Sequence, residues 1–317
     1  MEKTQNIHID AVATFNSVIT EINKTVVGKD DIIKKILITI ISGGHILLDD
    51  IPGVGKTTMA VAFSKALSLR YNRMQFTPDV MPSDIVGFSL YNKETGKFEY
   101  KIGVACTNLF LADEINRTSS KTQSALLELM EEKRVTVDGT TYKLPDPYIV
   151  IATQNPMGMV GTHSLPESQL DRFMVRLSMG YPTVAQEAYI LKSRRDIDPL
   201  NTVSGVIDGE TLIALREMSK RVHVHDEIYT YMAQLAEATR KSPKLRLGIS
   251  PRGSIALSKI AMTVAMLNNR DWVEPQDIAA MFTDVMSHRV IPKSKTDDTV
   301  GILKNILKTV SAPKIHI

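Results

Sequence analysis

Residues 49–60 read DDIPGVGKTTMA, and they match the phosphate-binding pattern G-x-x-x-x-G-K-[ST] except at its first position, where Asp50 replaces glycine. The flanking sequence predicts a strand before this loop and a helix after it, which would turn backbone N–H groups toward a bound anion. Gly53 and Gly55 let the backbone curl closely around phosphate. Aspartate tolerates unusual backbone angles better than most residues, so we expect Asp50 to preserve the loop.

The same loop supplies candidate ligands for a nucleotide and its metal ion. Lys56 would reach the outer phosphates, and Thr57 would place a hydroxyl group on Mg²⁺. The candidate nucleotide-binding residues of the loop are Gly53, Val54, Gly55, Lys56, Thr57 and Thr58. A glycine-rich turn followed by an accidental Lys-Thr pair remains the alternative interpretation of this stretch alone.

The composition predicts a protein with two domains in a reducing compartment. The 317 residues are 43% hydrophobic, which suffices for one large core or two ordinary ones. The 38 basic and 35 acidic residues leave a net charge of only +3, and this balance argues against nucleic-acid binding. A single cysteine, Cys106, and an amino terminus without an apolar run lead us to expect a cytoplasmic protein without membrane insertion.

The order of patterns along the chain predicts an α/β nucleotide-binding core at residues 1–182 and a helical second domain at residues 183–317. Three apolar runs that end in polar residues, at 45–50, 108–114 and 148–155, are typical of buried parallel strands. Open parallel sheets bind ligands at the carboxyl ends of their strands. We therefore expect the site to include the polar residues that end these runs.

Two β-hairpins are predicted to be inserted into the core, near residues 88–103 and 134–145. The first would turn near Gly96, and the second at Asp138-Gly139, a pair that suits a tight primed turn. Tyr91 and Phe98, together with Tyr100, would suit contacts with a protein partner if they are exposed. Ordinary decoration of the sheet is the alternative interpretation.

A second chemical signal is LFLADEINR at residues 109–117, where an apolar strand delivers two adjacent carboxylates. Asp113 would hold Mg²⁺, as the acid at this strand end does in phosphate-loop nucleoside triphosphatases. Glu114 could polarise the attacking water, a role worth about 10²- to 10⁴-fold in rate. A solvated strand end is the alternative when the pair is considered without the phosphate loop.

In order along the chain, these motifs resemble those of AAA+ ATPases, and within that class those of the MoxR family. The segments that carry the resemblance span roughly residues 15–255 and are VVGKDDIIKKILITIISGGHILLDDIPGVGKT (26–57), QFTPDVMPSDIVG (75–87), ADEINRTSSKTQSALLELMEEKRVTVDG (112–139), IATQNP (151–156), LPESQLDRF (165–173) and ISPRG (249–253). The resemblance implies a three-layer αβα core with a parallel sheet, two hairpin insertions and a small all-helical lid domain, with ATP and Mg²⁺ as cofactors. His163-Ser164 departs from the family pattern, which more often has an aromatic residue followed by proline.

The resemblance also assigns expected roles to further residues. Asn155 is similar to the polar sensor that contacts the γ-phosphate or the lytic water. Arg172 resembles an arginine finger that enters the nucleotide site of the next subunit, and Arg252 resembles the second sensor arginine, in cis or in trans. Val27 and Gly28 resemble the segment that lies over the adenine ring.

Together these residues imply an ATP-hydrolysing homo-oligomer, expected to be a hexameric ring, that remodels or activates a protein client. A partner with a von Willebrand factor A domain is a further expectation from the family resemblance. Two alternatives remain open at this point. One is a nucleic-acid-associated motor, and the other is an ATP-binding regulatory scaffold with slow turnover.

Overall fold

The computed structural model of the protein describes residues 9–51, 53–155, 165–193, 198–294 and 296–314. His163 and Ser164, where the sequence departs from the family pattern, lie outside these ranges. Within them, no helix is both long and apolar enough to cross a membrane.

The strands include the three that the sequence predicts, and five of them form one parallel sheet. In chain order they are β1 (Ile46–Asp49), β2 (Tyr71–Gln75), β3 (Gly87–Asn92), β4 (Lys97–Ile102), β5 (Leu109–Asp113), β6 (Arg134–Val137), β7 (Thr140–Lys143), β8 (Ile149–Gln154), β9 (Val175–Leu177), β10 (Leu245–Leu247) and β11 (Ile291–Pro292). The parallel sheet has the order β2-β5-β8-β1-β9. The sequence analysis did not predict β2 at one edge of this sheet or β9 at the other.

Helices cover both faces of the sheet and then form most of the second half of the chain. In chain order they are α1 (Ala11–Asn23), α2 (Asp30–Ile41), α3 (Lys56–Ala66), α4 (Pro82–Val86), α5 (Ser120–Glu132), α6 (Glu167–Leu170), α7 (Val184–Ser193), α8 (Gly209–Ser219), α9 (Asp226–Lys241), α10 (Pro251–Leu267), α11 (Pro275–Met286) and α12 (Thr299–Thr309). Short 3-10 turns lie at Ile115–Arg117 and Pro199–Thr202.

The central strand β5 shows why the core has three layers. Each of its five residues is buried, because helices cover the sheet on both faces. Leu109 and Leu111 pack into the cluster that includes α1, α2 and α3, whereas Phe110 and Ala112 pack into the cluster that includes α5. Successive side chains of a strand point to opposite faces, so one short strand contributes to two cores. The predicted three-layer αβα architecture is confirmed.

Both predicted hairpins are present, as β3–β4 and β6–β7. The second turns at Asp138 and Gly139, whose φ angles of 49° and 77° fit the primed turn predicted from this pair. On the first hairpin, Tyr91 and Phe98 are exposed. Tyr100 is not available in the same way, because its ring stacks on Tyr142 at 4.3 Å between ring centroids.

The second half of the chain is mainly helical, as predicted. A short antiparallel pair of strands, β10 and β11, is added to these helices and was not predicted. The residues between β9 and α7, 178–183, connect the sheet to the helical part, and we call residues 178–182 the connector. The boundary at residues 182 and 183 remains a prediction from the sequence.

Candidate nucleotide site

A cleft of about 610 Å³ opens at the carboxyl ends of the sheet strands, and we call it the nucleotide cleft. It is lined by Thr25, Val26, Val27, Lys29, Gly53, Val54, Gly55, Lys56, Thr57, Thr58, Arg73, Gln75, Asp113, Glu114, Met179, Tyr181, Pro182, Glu187, Ile190 and Leu191. All six predicted residues of the phosphate loop are among them, together with both predicted carboxylates.

The phosphate loop ends in a helix that begins at Lys56 and has no acidic residue in its first turn. Gly53 and Gly55 have φ angles of 85° and 96°, in the left-handed region that favours glycine. A β-carbon on Gly53 would meet no atom within 4 Å, so this residue borders open space. The free N–H groups of the first turn of α3 can therefore face an anion in the cleft.

Lys56 is buried at the inner end of the cleft. Its Nζ donates a hydrogen bond to the backbone oxygen of Asp50 at 2.6 Å. Burial lowers the pKa of Lys56 from its ordinary value, while the nearby carboxylates of Asp113, Asp50 and Glu114 act in the opposite direction. A triphosphate would add negative charge beside the ammonium group and so favour its charged form.

Asp50 has a different structural role from the one predicted. Its φ angle is not positive, so the explanation from unusual backbone angles is wrong. The buried carboxylate instead accepts hydrogen bonds from the connector, namely from Met179 N, from Gly180 N at 2.8 Å and from Ser178 Oγ at 3.2 Å. The substitution of glycine by aspartate thus fastens the phosphate loop to the chain that leads into the lid.

Lys29 holds the same connector from the other side. Its Nζ donates to the backbone oxygens of Met179, Gly180 and Tyr181. These contacts help to fix the wall of the cleft in which Met179 and Tyr181 lie.

Val27 lines the nucleotide cleft, as do the apolar residues Ile190 and Leu191 of α7, and an apolar wall of this kind is suited to a planar base. That Val27 lies over the adenine ring stays a prediction. Gly28 is not among the lining residues. Its backbone oxygen accepts a hydrogen bond from Gln186 Nε2 at 3.3 Å, and a β-carbon at Gly28 would lie 1.9 Å from that atom. Because glycine has no β-carbon, α7 can approach Gly28 closely.

Asp113 is fixed by its neighbours on both sides in the sheet. Its Oδ1 accepts a hydrogen bond from Thr153 Oγ1 at 2.6 Å, and its Oδ2 accepts one from Arg73 Nη2 at 2.7 Å. Thr57 also lines the cleft, so a hydroxyl and a carboxylate are available together. Oxygen ligands of this kind suit Mg²⁺, which usually takes one or two protein ligands and completes its shell with phosphate and water. These residues fit the predicted metal.

Glu114 leaves the strand in a left-handed conformation, with φ 58° and ψ 46°. For a residue other than glycine this costs about 1–2 kcal/mol, and it turns the side chain away from that of Asp113. Arg117 Nη1 donates to Glu114 Oε2 at 2.9 Å. Burial raises the pKa of Glu114, but Arg117 and the amides of Asn155 and Gln75 outweigh this effect and hold the pKa below its usual value. The carboxylate is therefore ionised at neutral pH, as a base requires.

Asn155 lies at the end of β8, close to Glu114. Its backbone oxygen accepts from Asn116 Nδ2 at 3.1 Å, and its backbone N–H donates to Asn116 Oδ1 at 3.3 Å. The side-chain oxygen of Asn155 is buried without a hydrogen-bond partner among the described residues. Asn155 thus lies beside Glu114 but is not among the residues that line the cleft, and its role as a sensor stays a prediction.

Arg172 and Arg252 do not line the nucleotide cleft of their own chain. They meet at a second cleft of about 250 Å³, the arginine cleft, which shares no lining residue with the first. Arg172 Nη1 lies 3.1 Å from Glu131 Oε2 and donates to the backbone oxygen of Leu127 at 2.6 Å, and Arg252 pairs with the other oxygen of Glu131. One carboxylate therefore holds both arginines together.

The helical domain anchors the backbone that carries Arg172. Buried Arg289 donates to Asp171 Oδ1 at 2.7 Å and to the backbone oxygens of Phe173 and Met174 at 2.6 and 3.0 Å. His288 Nε2 donates to the oxygen of Phe173 at 2.9 Å. Arg172 is thus placed by the helical domain and by α5 together.

Comparisons with known proteins agree with this geometry. Residues 45–175 match the ATPase family associated with various cellular activities (AAA), and residues 237–306 match the AAA lid domain. The chaperone MoxR1 of Mycobacterium tuberculosis is 35% identical over 318 residues, which cover 96% of this chain and 84% of that protein. The chain belongs to the MoxR family of AAA+ ATPases.

Two further relatives support this family assignment. The uncharacterised protein YeaC of Bacillus subtilis is 45% identical over 299 residues, with 93% of each chain covered. A crystal structure from Cytophaga hutchinsonii, of a protein described as a candidate ATPase, superposes with a TM-score of 0.88 at 36% identity and covers 96% of both chains. The MoxR-type core and lid therefore extend over nearly the whole chain.

Several residues of this MoxR-type site were missed in the sequence analysis. Arg73 and Gln75 come from the edge strand β2, and Thr153 comes from β8. Each contacts Asp113 or Glu114 only because β5 lies between these two strands. The sequence YNRMQ has no alternation of polar and apolar residues, because Asn72 and Arg73 are adjacent, so no local signal pointed to β2.

Proposed function

We propose that this MoxR-family protein is a Mg²⁺-dependent ATPase that works as a homo-oligomeric ring, with six subunits, and remodels or activates a protein client. The observation that carries the proposal is the division of the predicted machinery between two clefts. One cleft has the phosphate loop, the metal ligands and the base, and the other has the two arginines. Two neighbouring copies would complete one site.

In the proposed reaction, the first turn of α3 and Lys56 bind the triphosphate, and the apolar wall that includes Val27 holds the base. Thr57 and Asp113 would hold Mg²⁺, which would supply charge neutralisation on the phosphates. Glu114 accepts a proton from the attacking water, or orients it, while Asn155 stands beside the base.

The ring follows from the position of Arg172. An arginine that stabilises the transferring phosphoryl group contributes about 10³- to 10⁵-fold to the rate. Arg172 pairs with Glu131 and does not line the nucleotide cleft of its own chain, which supports the proposal that it serves the nucleotide of another copy. Arg252 lies beside it at the same carboxylate, and we assign it to the same neighbouring nucleotide.

The client surface that we propose is the first hairpin. Exposed apolar residues on its two strands are Phe88, Leu90, Tyr91, Phe98 and Ile102. Side chains of this kind bind other proteins. The name of the relative MoxR1 includes a chaperone function, and we extend that role to this chain, in the cytoplasm and with a von Willebrand factor A domain protein as a possible partner.

Mixing two inactive variants tests the shared site. Arg172→Ala protein retains a nucleotide cleft, and Lys56→Ala protein retains an arginine cleft. We expect ATP turnover to recover when the two proteins are mixed, because some contacts between subunits then combine an intact nucleotide cleft with an intact arginine cleft. If mixtures at several ratios remain as inactive as the separate variants while sedimentation shows mixed oligomers, the shared site is refuted.

A trap experiment identifies the client. Glu114→Gln protein should hold ATP without cleaving it and so keep its client bound. A protein that is retained by Glu114→Gln in ATP, and not by Lys56→Ala, is the expected result. If DNA stimulates turnover with a steep dependence on salt and no protein is retained, the remodelling of a protein client is refuted.

A further inference from the structure

Both oxygens of the metal-binding carboxylate are engaged by groups of this chain. Asp113 Oδ1 accepts from Thr153 Oγ1 at 2.6 Å. Asp113 Oδ2 accepts from Arg73 Nη2 at 2.7 Å and from Arg73 Nε at 3.3 Å. The contact with Thr153 is neutral, whereas the contact with Arg73 places a full positive charge where a metal ion would bind.

Arg73 can reach this oxygen because of the register of the sheet. Gln75 lies opposite Asp113 and Arg73 lies opposite Leu111, so the guanidinium extends along the strand toward the carboxylate. The side chain of Arg73 is 42% exposed and lines the nucleotide cleft. Within the described residues its only ion pair is with Asp113. A partly exposed pair of this kind contributes little to stability and can be broken at low cost.

We propose that Arg73 is an internal substitute for the metal ion. When no Mg²⁺ is bound, it neutralises Asp113 and prevents that carboxylate from repelling the incoming phosphates. When Mg²⁺ binds, the metal displaces Arg73 from Oδ2. The inference rests on the proposed function, since it assumes that Mg²⁺ and a nucleotide bind in this cleft.

The proposal has a consequence that distinguishes it from a structural role. Without Arg73, an uncompensated carboxylate faces the phosphates whenever the metal is absent, so metal-free binding weakens. With Mg²⁺ present, the metal itself neutralises Asp113 and the loss is small. The ratio of the two dissociation constants, metal-free over Mg²⁺-saturated, should therefore rise.

The experiment measures binding of a fluorescent, non-hydrolysable ATP analogue in EDTA and in saturating Mg²⁺. For Arg73→Ala we expect this ratio to rise about tenfold over wild type, the usual weight of one charge-assisted contact. Arg73→Lys retains the positive charge, and its ratio should stay within about threefold of wild type. The matched control is Arg70→Ala, on the same edge of the sheet, where the side chain donates to Asn108 Oδ1 at 3.4 Å and to no other group in the described part of the chain.

Three results would overturn the inference. Dissociation constants that are unchanged in both conditions for Arg73→Ala show that Arg73 does not stand in for the metal. Equal weakening in both conditions shows a structural role, and a thermal unfolding curve of each variant, with Arg73→Gln as a second substitution, identifies loss of folding. Wild-type protein that binds no analogue in either condition refutes the proposed function itself, and this differs from a bound analogue with an unchanged ratio.

Discussion

The nucleotide cleft and the arginine cleft differ in charge, because the first is lined by three basic and three acidic residues and the second by five basic and two acidic residues. In the nucleotide cleft, Arg73 and Arg117 pair with the two acids at the end of β5. In the arginine cleft, the acid Glu131 pairs with two arginines. In each cleft, a side chain of the same chain occupies a position that the proposed reaction gives to a bound group. Arg73 pairs with Asp113 in place of a metal ion, and Glu131 pairs with the two arginines in place of a phosphate. Each cleft can therefore be tested separately.

The largest expected effect separates nucleotide binding from turnover. Lys56→Ala should abolish detectable ATP binding, because the buried ammonium group is the cation beside the phosphates. Arg172→Ala should lower turnover by about 10³- to 10⁵-fold without changing the affinity for ATP. Calorimetric binding and steady-state hydrolysis measure the two quantities. An Arg172→Ala protein that loses affinity as strongly as Lys56→Ala would place Arg172 in the nucleotide cleft and break the comparison.

The next effect concerns the base. Glu114→Gln should lower single-turnover hydrolysis by about 10²- to 10⁴-fold and leave ATP binding intact, because glutamine keeps the shape and loses the charge. The pKa of Glu114 lies below its ordinary value of 4.5, so the carboxylate is ionised throughout the neutral pH range. Protonation of Glu114 should therefore not reduce activity near pH 7. The control is Glu237→Gln, an exposed glutamate paired with Lys241 on α9. Unchanged hydrolysis in Glu114→Gln would contradict the assignment.

A third effect tests how the arginine cleft is anchored. Arg289→Met removes the buried guanidinium that binds the Asp171 carboxylate and four backbone oxygens, and it should lower the free energy of unfolding by about 3–5 kcal/mol. Urea denaturation measures the change. Arg246→Met is the control, since its pair with Glu167 is exposed and should contribute under about 1 kcal/mol. Equal effects of the two substitutions would show that Arg289 is no anchor.

The smallest effect concerns the acidic residue of the phosphate loop. Asp50→Asn should lower the free energy of unfolding by about 1–2 kcal/mol, because Asp50 accepts from the connector with Oδ2 and from Ile51 N with Oδ1, and an amide has only one oxygen that can accept. Denaturant unfolding measures this change, with Asp138→Asn as the control because asparagine suits that turn position. An Asp50→Asn protein as stable as wild type would reduce the connector contacts to incidental ones.

The strands of the parallel sheet that the sequence revealed are those whose burial is nearly continuous. Leu109–Asp113 is buried throughout, and such an apolar run is a strong signal. In contrast, Tyr71–Gln75 lies at the edge of the sheet with most of its side chains exposed or half-buried, and Val175–Leu177 has only three residues. Neither has a local pattern that separates it from a loop, because sheet pairing defines both.

The same distinction applies to the site. The phosphate loop, Asp113 and Glu114 could be predicted because their functional groups lie close together in sequence. Arg73 could not, because its contact with Asp113 depends on the pairing of two strands that are far apart along the chain. The pairing of both arginines with Glu131 depends likewise on how the helical domain packs against α5.

Two side chains hold the connector through hydrogen bonds. The ammonium group of Lys29 donates to backbone oxygens of the connector, and the carboxylate of Asp50 accepts from its backbone N–H groups. A connector that is held by two side chains cannot rotate freely about a single backbone bond. If the helical domain rotates, we expect the apolar wall of the nucleotide cleft to move with it. The tilt of the lid would then report whether a base is seated.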